Sequence, residues 1–340
     1  RMSRGLGDVY KRQELLLGIP VAAIAIVCIV CIVCVVCSGC NSFHGRQRAT
    51  HGGDNSSADT LQGSPRELPL PEVPALLTAP EERAAYVLEH FWDGMDFRDT
   101  LRSRDRLFME QCFVNFLSLF PHALPQSLPS PVGRLLQRAA VDSVAFRLVN
   151  SLAEHYLDDP NSPMRNEEHY ILFLEALLSL PGLPEAERIR PAYRLETTRK
   201  NRPGTIAADF AYTDHRGKRQ TLHGTPAPRL LLLFYDPACS HCAEILDALQ
   251  ESPALTRLIA AGELAVLAAY TEGDRRLWDE TKAALPQEWT VGIDNSRIVE
   301  RELYSLPAMP VIYLLDKDKR VLLKDSSPAG LEAFLSPCPK

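Results

Sequence analysis

The sequence lacks the excess of positive charge that a nucleic-acid-binding protein carries. Its 37 basic and 43 acidic side chains leave a formal net charge of −6, so nucleic acid is excluded as a partner. Aromatic residues are few, at 7%, but hydrophobic residues make up 46%, which excludes a disordered or fibrous chain. The sequence also has no internal repeats. We therefore expect its 340 residues to form about two globular domains, each with its own core.

Charged residues are also missing from a stretch of 22 residues, 15–36, which is long enough to span a bilayer. Small residues then precede Cys40 in a pattern that resembles the lipobox of bacterial lipoproteins, although Cys37 stands where leucine is usual. We predict that residues 1–39 are an artefact-like leader plus a lipoprotein signal, and that Cys40 carries the lipid anchor. An uncleaved membrane segment and an assembly artefact are the alternatives. Either membrane-tethered form places the remaining chain in the cell envelope, facing the periplasm of a Gram-negative bacterium.

The nine cysteines are unevenly distributed. Five recur at every third position from Cys28 to Cys40 among Ile, Val and Ala, where polar groups that could support a metal or redox site are missing. We expect Cys112 and Cys338 to be isolated thiols, with a disulfide as the less favoured alternative. The pair that remains for chemistry is Cys239 and Cys242.

The composition divides the rest of the chain into three segments. Residues 40–75 are rich in Ser, Gly, Arg, Asp and Pro and have no apolar period, which predicts a flexible linker. Apolar residues recur at helical spacing within residues 76–200, which predicts an all-α domain. Residues 201–340 instead alternate short strands with helices. This pattern predicts an α/β domain with one mixed sheet and helices on both of its faces.

The motif Cys239-Ser240-His241-Cys242 follows a continuous apolar run at 229–235, which is typical of a strand buried on both faces. At the start of a helix, the first sulfur would lie beside free backbone N–H groups that stabilise its thiolate. The second sulfur would lie about one turn deeper, where it could attack a mixed disulfide formed on the first. A protonated His241 would further favour the Cys239 thiolate. The motif therefore predicts a redox-active pair.

The same pair has other interpretations. A zinc site would need a second pair of ligands at a suitable spacing, and none is evident. Covalent haem attachment would need His directly after the second cysteine, where Ala243 stands. An inert pair is the remaining alternative. We therefore predict no metal and no cofactor, because the disulfide formed by Cys239 and Cys242 would itself carry the two electrons.

Three separated features carry a resemblance to a known family. They are the hairpin that begins with Asp209-Phe210 and turns at Gly217, the CSHC motif, and Met309-Pro310 before the next strand. By these features the segment resembles the thioredoxin-like domains of membrane-anchored, extracytoplasmic disulfide reductases. The resemblance implies a thioredoxin-like fold, a cis peptide bond at Pro310, and a groove in which Met309 offers backbone hydrogen bonds to an extended substrate. An ordinary trans-proline is the alternative at Pro310.

The sequence departs from this family at two positions that bear on the chemistry. Leu233 stands where many of these proteins have a buried acid that assists proton transfer from the second thiol. Either water or His241 would then have to substitute for that acid, or turnover would be slow. Asp236 stands where the peroxidase branch of the superfamily needs Thr, which argues against a peroxidase.

Residues 76–200 resemble a helical domain of unknown function that precedes thioredoxin-like domains in Bacteroides-type lipoproteins, through the segments 91–97 and 159–168. Together the resemblances imply a membrane-anchored periplasmic thiol–disulfide oxidoreductase that acts on protein disulfides as a reductase. A membrane electron donor would restore its dithiol. The alternative is a partner-binding lipoprotein whose helical domain recognises a protein, with redox chemistry secondary. The sequence leaves open whether the pair reduces, oxidises or isomerises disulfides.

Overall fold

The computed structural model describes residues 67–336, which lie within the unit Gly63–Lys340. The predicted leader, Cys40, most of the predicted linker and Cys338 lie outside the described residues. Within residues 67–336, no helix is both long and apolar enough to cross a membrane. The predicted lipid anchor and location therefore stay predictions.

The first half of the described chain is helical. Asp99, Asp105, Asp142 and Asn166 accept hydrogen bonds from backbone N–H groups that have no partner inside their own helices, so each fixes a helix start. Aromatic and leucine side chains from these helices form one buried core. The helices are α1 (Pro80–His90), α2 (Thr100–Ser103), α3 (Arg106–Ser118), α4 (Pro129–Ala139), α5 (Ser143–Leu157), α6 (Glu167–Leu178) and α7 (Glu185–Thr198), with 3₁₀ turns at Phe120–His122 and Pro125–Ser127.

The second half forms a seven-stranded mixed sheet in the order β2-β1-β5-β4-β3-β6-β7. β3 pairs in parallel with β4 and antiparallel with β6, so it is hydrogen-bonded on both sides, and the residues from Leu230 to Tyr235 are buried. The strands are β1 (Ala211–Asp214), β2 (Arg219–Thr221), β3 (Arg229–Tyr235), β4 (Ala265–Tyr270), β5 (Thr290–Asp294), β6 (Val311–Asp316) and β7 (Val321–Lys324).

Each face of the sheet has its own apolar core. Side chains alternate along β3, so Leu231, Leu233 and Tyr235 contribute to one core and their neighbours to the other. The helices of this half pack on the first face, whereas irregular segments that include Ile298 and Tyr304 complete the second core. These helices are α8 (Ser240–Gln250), α9 (Pro253–Ala260), α10 (Arg275–Thr281) and α11 (Pro328–Leu335), with a 3₁₀ turn at Lys282–Ala284.

This architecture confirms the predicted fold class, a helical region followed by a mixed α/β sheet. Three details of the prediction are wrong. Helices are expected on both faces of the sheet, but among the described residues the helices of the second half cover only one face. The sequence pattern also predicts neither α9 nor β5. β5 has a glycine, Gly292, at its centre, which is a poor strand signal. The glycine is required because a Cβ atom there would lie 2.6 Å from Cδ2 of Tyr212 on β1.

The helical half contacts the sheet through a buried ammonium group on β7. Lys324 Nζ lies 2.6 Å from Oε2 of Glu167 and donates hydrogen bonds to the carbonyl oxygens of Thr198 and Lys200 at 2.9 and 2.7 Å. Only 4% of the Lys324 side chain is exposed. A buried charge is costly unless it is paired, so Lys324 has to keep these partners. The contacts therefore hold the end of α7 against the edge strand β7.

Candidate active site

The two cysteines of the motif lie where β3 ends and α8 begins. Cys239 is the N-cap of α8, and its Sγ accepts a hydrogen bond from the backbone N–H of Cys242 at 3.4 Å. The turn before it is held by Asp236, whose carbonyl oxygen accepts from Cys239 N–H at 3.1 Å and whose Oδ1 accepts from Ala238 N–H at 2.9 Å. The positive end of the helix dipole therefore faces the Cys239 sulfur, where it stabilises a thiolate.

The second cysteine lies in the core beneath the first. Cys242 is fully buried, and its Sγ accepts a hydrogen bond from Asp236 N–H at 3.5 Å. Burial, together with the nearby charges of Cys239 and Asp236, raises the pKa of the Cys242 thiol to about 12, although the hydrogen bond from Asp236 N–H acts in the opposite direction. Cys239 is half-buried, and both residues are free thiols. The pair therefore has one accessible sulfur and one that is sheltered from solvent.

The loop before β6 faces the accessible sulfur. The Met309–Pro310 peptide bond is cis, as the resemblance implies. Cys239 Sγ lies 4.0 Å from the carbonyl oxygen of Met309, whose side chain packs against the apolar cores on both faces of the sheet. The structure thus brings together Cys239, Cys242, Met309 and Pro310, while the substrate groove inferred for Met309 and Pro310 stays a prediction.

His241 lies on the outer side of α8. Its side chain is 64% exposed, and Nδ1 lies 3.4 Å from Oε2 of Glu244, which is 77% exposed. A positive charge on His241 would act on Cys239 through water, and solvent screening would weaken this electrostatic interaction. The predicted tuning of Cys239 by His241 stays a prediction, and the contact with Glu244 gives His241 no direct route to the buried Cys242.

Asp236 is the functional candidate that the sequence argument overlooked. In the sequence, Asp236 serves only to distinguish the chain from peroxidases. In the structure, its backbone contacts both cysteines and its carboxylate holds their turn. An acidic residue directly after a buried strand and three positions before a reactive cysteine was the available signal. Leu233, by contrast, is fully buried in the apolar core that also contains Cys242.

No cluster of three or more His, Cys, Asp or Glu side chains that could hold a metal is found within residues 67–336. The other described cysteine, Cys112, is buried in α3 within the core of the helical half. Burial raises the pKa of the Cys112 thiol, which makes it a poor nucleophile. It is therefore separate from the redox candidate pair.

Known proteins are similar to both halves of the chain. A family model described as "Domain of unknown function (DUF5106)" matches residues 44–201, so the match begins within the segment predicted to be a linker. The crystal structure of a thioredoxin-like protein from Bacteroides caccae has a TM-score of 0.75 and 38% identity, and the match covers 78% of this chain and 97% of that one. No curated protein matches.

A second solved structure matches a smaller part of the chain. It is the C-terminal domain of a protein from Bacteroides fragilis, at 40% identity and a TM-score of 0.39. The match covers 40% of this chain and 97% of that one. The match to the Bacteroides caccae protein, at 78% of this chain, is long enough to include both the helical half and the sheet.

Proposed function

The chain belongs to the thioredoxin-like proteins, and from this premise we propose that it is a thiol–disulfide oxidoreductase that acts on protein disulfides through Cys239 and Cys242. One observation carries the proposal: a half-buried thiol at a helix N-terminus lies 3.4 Å from the backbone N–H of a second, fully buried cysteine. An accessible, stabilised thiolate is suited to attack a disulfide, and a sheltered thiol on the next turn is suited to resolve the product.

The reaction then has two exchange steps. The Cys239 thiolate attacks one sulfur of the substrate disulfide, so a mixed disulfide forms and the other substrate sulfur leaves as a thiolate that takes a proton from water. Cys242 loses its proton and attacks Cys239 Sγ, so the Cys239–Cys242 bond forms and the second substrate sulfur leaves and is protonated. The two electrons of the dithiol have passed to the substrate. No organic cofactor enters this sequence of steps.

We propose that the reaction runs as a reduction of the substrate, with the dithiol restored by a thiol donor associated with the membrane. Asp236 supports this direction, because its negative charge disfavours a thiolate on Cys242, and a less stable reduced form lowers the reduction potential of the pair. The opposing effect of a charged His241 is weakened by its exposure to solvent. A reduction potential near thioredoxin's ~−270 mV supports a reductase, and a potential near ~−120 mV assigns an oxidase instead. Equilibration of the full chain with glutathione buffers measures it.

The activity is tested with the full chain and a small disulfide-bonded protein, insulin, as the substrate. Reduction of insulin by dithiothreitol is expected to accelerate with the wild type and with Cys112→Ser, and to fall to the uncatalysed rate with Cys239→Ser. Cys112→Ser is the matched control, because it removes a buried thiol elsewhere in the chain. A wild type that cannot be reversibly oxidised and reduced would overturn the proposal. Full cellular function of Cys239→Ser would favour partner binding by the helical half.

We also propose that the protein is anchored to a membrane by a lipid on Cys40 and faces the periplasm. The apolar stretch at 15–36 and the small residues before Cys40 support this placement. Cells grown with an alkyne-tagged fatty acid are expected to label the wild type and Cys37→Ala, but not Cys40→Ala. Equal labelling of Cys40→Ala would contradict the lipid anchor, and membrane association without any label would assign the uncleaved anchor.

A further inference from the structure

The buried thiol of Cys242 has to lose a proton before it can act, because the thiolate is the nucleophile in disulfide exchange. In the dithiol its pKa is about 12, so about one molecule in 10⁵ carries this thiolate at neutral pH. Burial, the largest cause of this shift, also applies when Cys239 is in a mixed disulfide. Solvent does not reach the sulfur, since Cys242 is fully buried. The resolving step therefore depends on a group that can take the proton at this location.

Most of the surroundings of Cys242 offer no such group. Leu233 and Leu246 are apolar and belong to the same core. The hydroxyl group of Tyr235 is buried without a hydrogen-bond partner, and burial raises the pKa of Tyr235 far above its ordinary value, so it is protonated at neutral pH. On α8, His241 and Glu244 are exposed and lie against each other.

The segment after β4 carries further charged groups. Asp274 uses Oδ1 to cap α10 by accepting hydrogen bonds from the N–H groups of Arg276 and Leu277. Burial raises the pKa of Tyr270, and the negative charges of Asp236, Asp274 and Glu272 act in the same direction. Among these groups, Asp236 is the one whose own chain contacts the Cys242 sulfur.

Asp236 combines contact with the sulfur and access to water. Its N–H donates to Cys242 Sγ at 3.5 Å, and its Oδ1 is held in the turn by the N–H of Ala238 at 2.9 Å. The residue is only half-buried, so a proton that it accepts can pass on to solvent. Its charge also contributes to the raised pKa of the Cys242 thiol, so the carboxylate acts electrostatically on this thiol.

We propose that the carboxylate of Asp236 is the proton acceptor for Cys242 in the resolving step, directly or through one water. The inference rests on the proposed function. When the mixed disulfide is present on Cys239, the Cys242 proton moves to Asp236, and the sulfur attacks Cys239 Sγ as the bond between Cys239 and the substrate breaks. The departing substrate thiolate takes up one proton, so the carboxylate returns to its charged form once its own proton has passed to that thiolate or to water.

The substitution Asp236→Asn distinguishes a proton acceptor from a purely electrostatic role, because the two roles predict opposite changes in the rate of the resolving step. An asparagine Oδ1 can still accept from Ala238, so the turn is retained, while the charge is lost. If Asp236 acted only through its charge, its removal would lower the pKa of Cys242 and speed resolution. If Asp236 accepts the proton, its removal slows resolution, by about a hundredfold for a typical general base.

The experiment mixes the reduced full-length protein with an aromatic disulfide reagent whose released thiolate is coloured. Release by Cys239→Ser is subtracted as the background from other thiols. Above that background, the first molecule of coloured thiolate reports attack by Cys239, and the second reports resolution by Cys242. Asp236→Asn is expected to keep the first phase and to slow the second about a hundredfold at pH 7, with the deficit shrinking as pH rises and hydroxide takes over. Asp247→Asn, which removes an exposed carboxylate from α8, the helix that carries Cys242, is expected to leave both phases unchanged.

The outcomes distinguish this inference from the proposed function. If the wild type shows neither phase, the proposed function fails. If the wild type shows both phases and Asp236→Asn resolves as fast as wild type or faster, Asp236 is not the proton acceptor while the proposed function stands. A pH-independent slowing of both phases in Asp236→Asn would indicate a disturbed turn and would also overturn the inference.

Discussion

The sulfur of Cys239 lies 4.0 Å from the carbonyl oxygen of Met309, across the junction between the start of α8 and the loop before β6. These residues are 70 positions apart in the chain, and the central strands β3 and β6, which pair antiparallel, bring them together. A backbone acceptor therefore stands beside the accessible sulfur. An extended substrate that paired with this segment would present its own disulfide to Cys239.

The unequal burial of the two sulfurs predicts which variant traps a substrate. Cys242→Ser should retain attack by Cys239 but lack the resolving thiol, so a mixed disulfide with a disulfide-bonded peptide should accumulate. Cys239→Ser should form no adduct through the pair, because Cys242, the thiol of the pair that remains, is fully buried. Mass spectrometry of the intact protein under non-reducing conditions measures the adduct. A stronger adduct with Cys239→Ser would reverse the assigned order of attack.

The raised pKa of Cys242 predicts a loss of stability in alkali. The thiol has an ordinary pKa of 9.0 and a pKa of about 12 in the folded protein, so between these values the unfolded chain ionises while the folded chain does not. This contribution is fully present below pH 9 and is lost as pH rises toward 12. At pH 10 the loss is about 1 kcal/mol.

Urea unfolding of the reduced protein at pH 7.5 and pH 10 tests this sign. The free energy of unfolding should fall more steeply with pH for the wild type than for Cys242→Ala, by about 1 kcal/mol over this interval. The buried tyrosines also titrate in alkali, but they are common to both proteins and cancel in the difference. Parallel pH dependences of the two proteins would contradict a buried, neutral Cys242.

The buried ammonium group of Lys324 predicts a large cost for its removal. Lys324→Met would leave the Glu167 carboxylate without this partner and the carbonyl groups of Thr198 and Lys200 without their donor. Breaking a buried pair from one side costs about 3–5 kcal/mol, and Arg165, at 3.0 Å from Glu167, should keep the loss near the lower end. Chemical denaturation measures this change.

The matched control is Arg276→Met. Arg276 forms an ion pair with Glu280 within α10, but its side chain is 89% exposed, and such pairs contribute at most about 1 kcal/mol. If Lys324→Met lowers the free energy of unfolding by no more than Arg276→Met does, the contact between the helical half and β7 contributes little to stability.

The space around two glycines, Gly292 in β5 and Gly133 in α4, predicts opposite effects of their substitution by alanine. Gly292→Ala would place a Cβ atom 2.6 Å from Tyr212 Cδ2, and such overpacking costs about 1–3 kcal/mol. Gly133, within α4, has nothing within 4 Å of an added Cβ, so Gly133→Ala should stabilise the helix by about 0.5–1 kcal/mol. Thermal unfolding of both variants measures the effects, and a neutral Gly292→Ala would indicate that Tyr212 can move aside.

Local pattern was sufficient for the elements that carry the candidate pair. The predicted strand 229–235 coincides with β3, because a strand buried on both faces needs an unbroken apolar run. Cys239 caps α8 as expected, because a helix start is a local event. The fold class followed from the same patterns, and the resemblance implied the cis bond before Pro310.

Local pattern was insufficient where long-range contacts decide the structure. β5 is only five residues long and is interrupted by Gly292, and it exists because β1 and β4 pair with both of its edges. The glycine at its centre is explained only by Tyr212, which lies on another strand.

The sequence by itself determined the class of fold and the redox motif, since helix periodicity, apolar runs and a cysteine pair at a helix start are short-range features. The tertiary structure alone decided the environments of those residues. It buried Cys242, left His241 exposed beside Glu244, and brought Asp236 and Met309 to the sulfurs. Burial and distance depend on which segments pack together, and for this reason no single segment of the chain could reveal them.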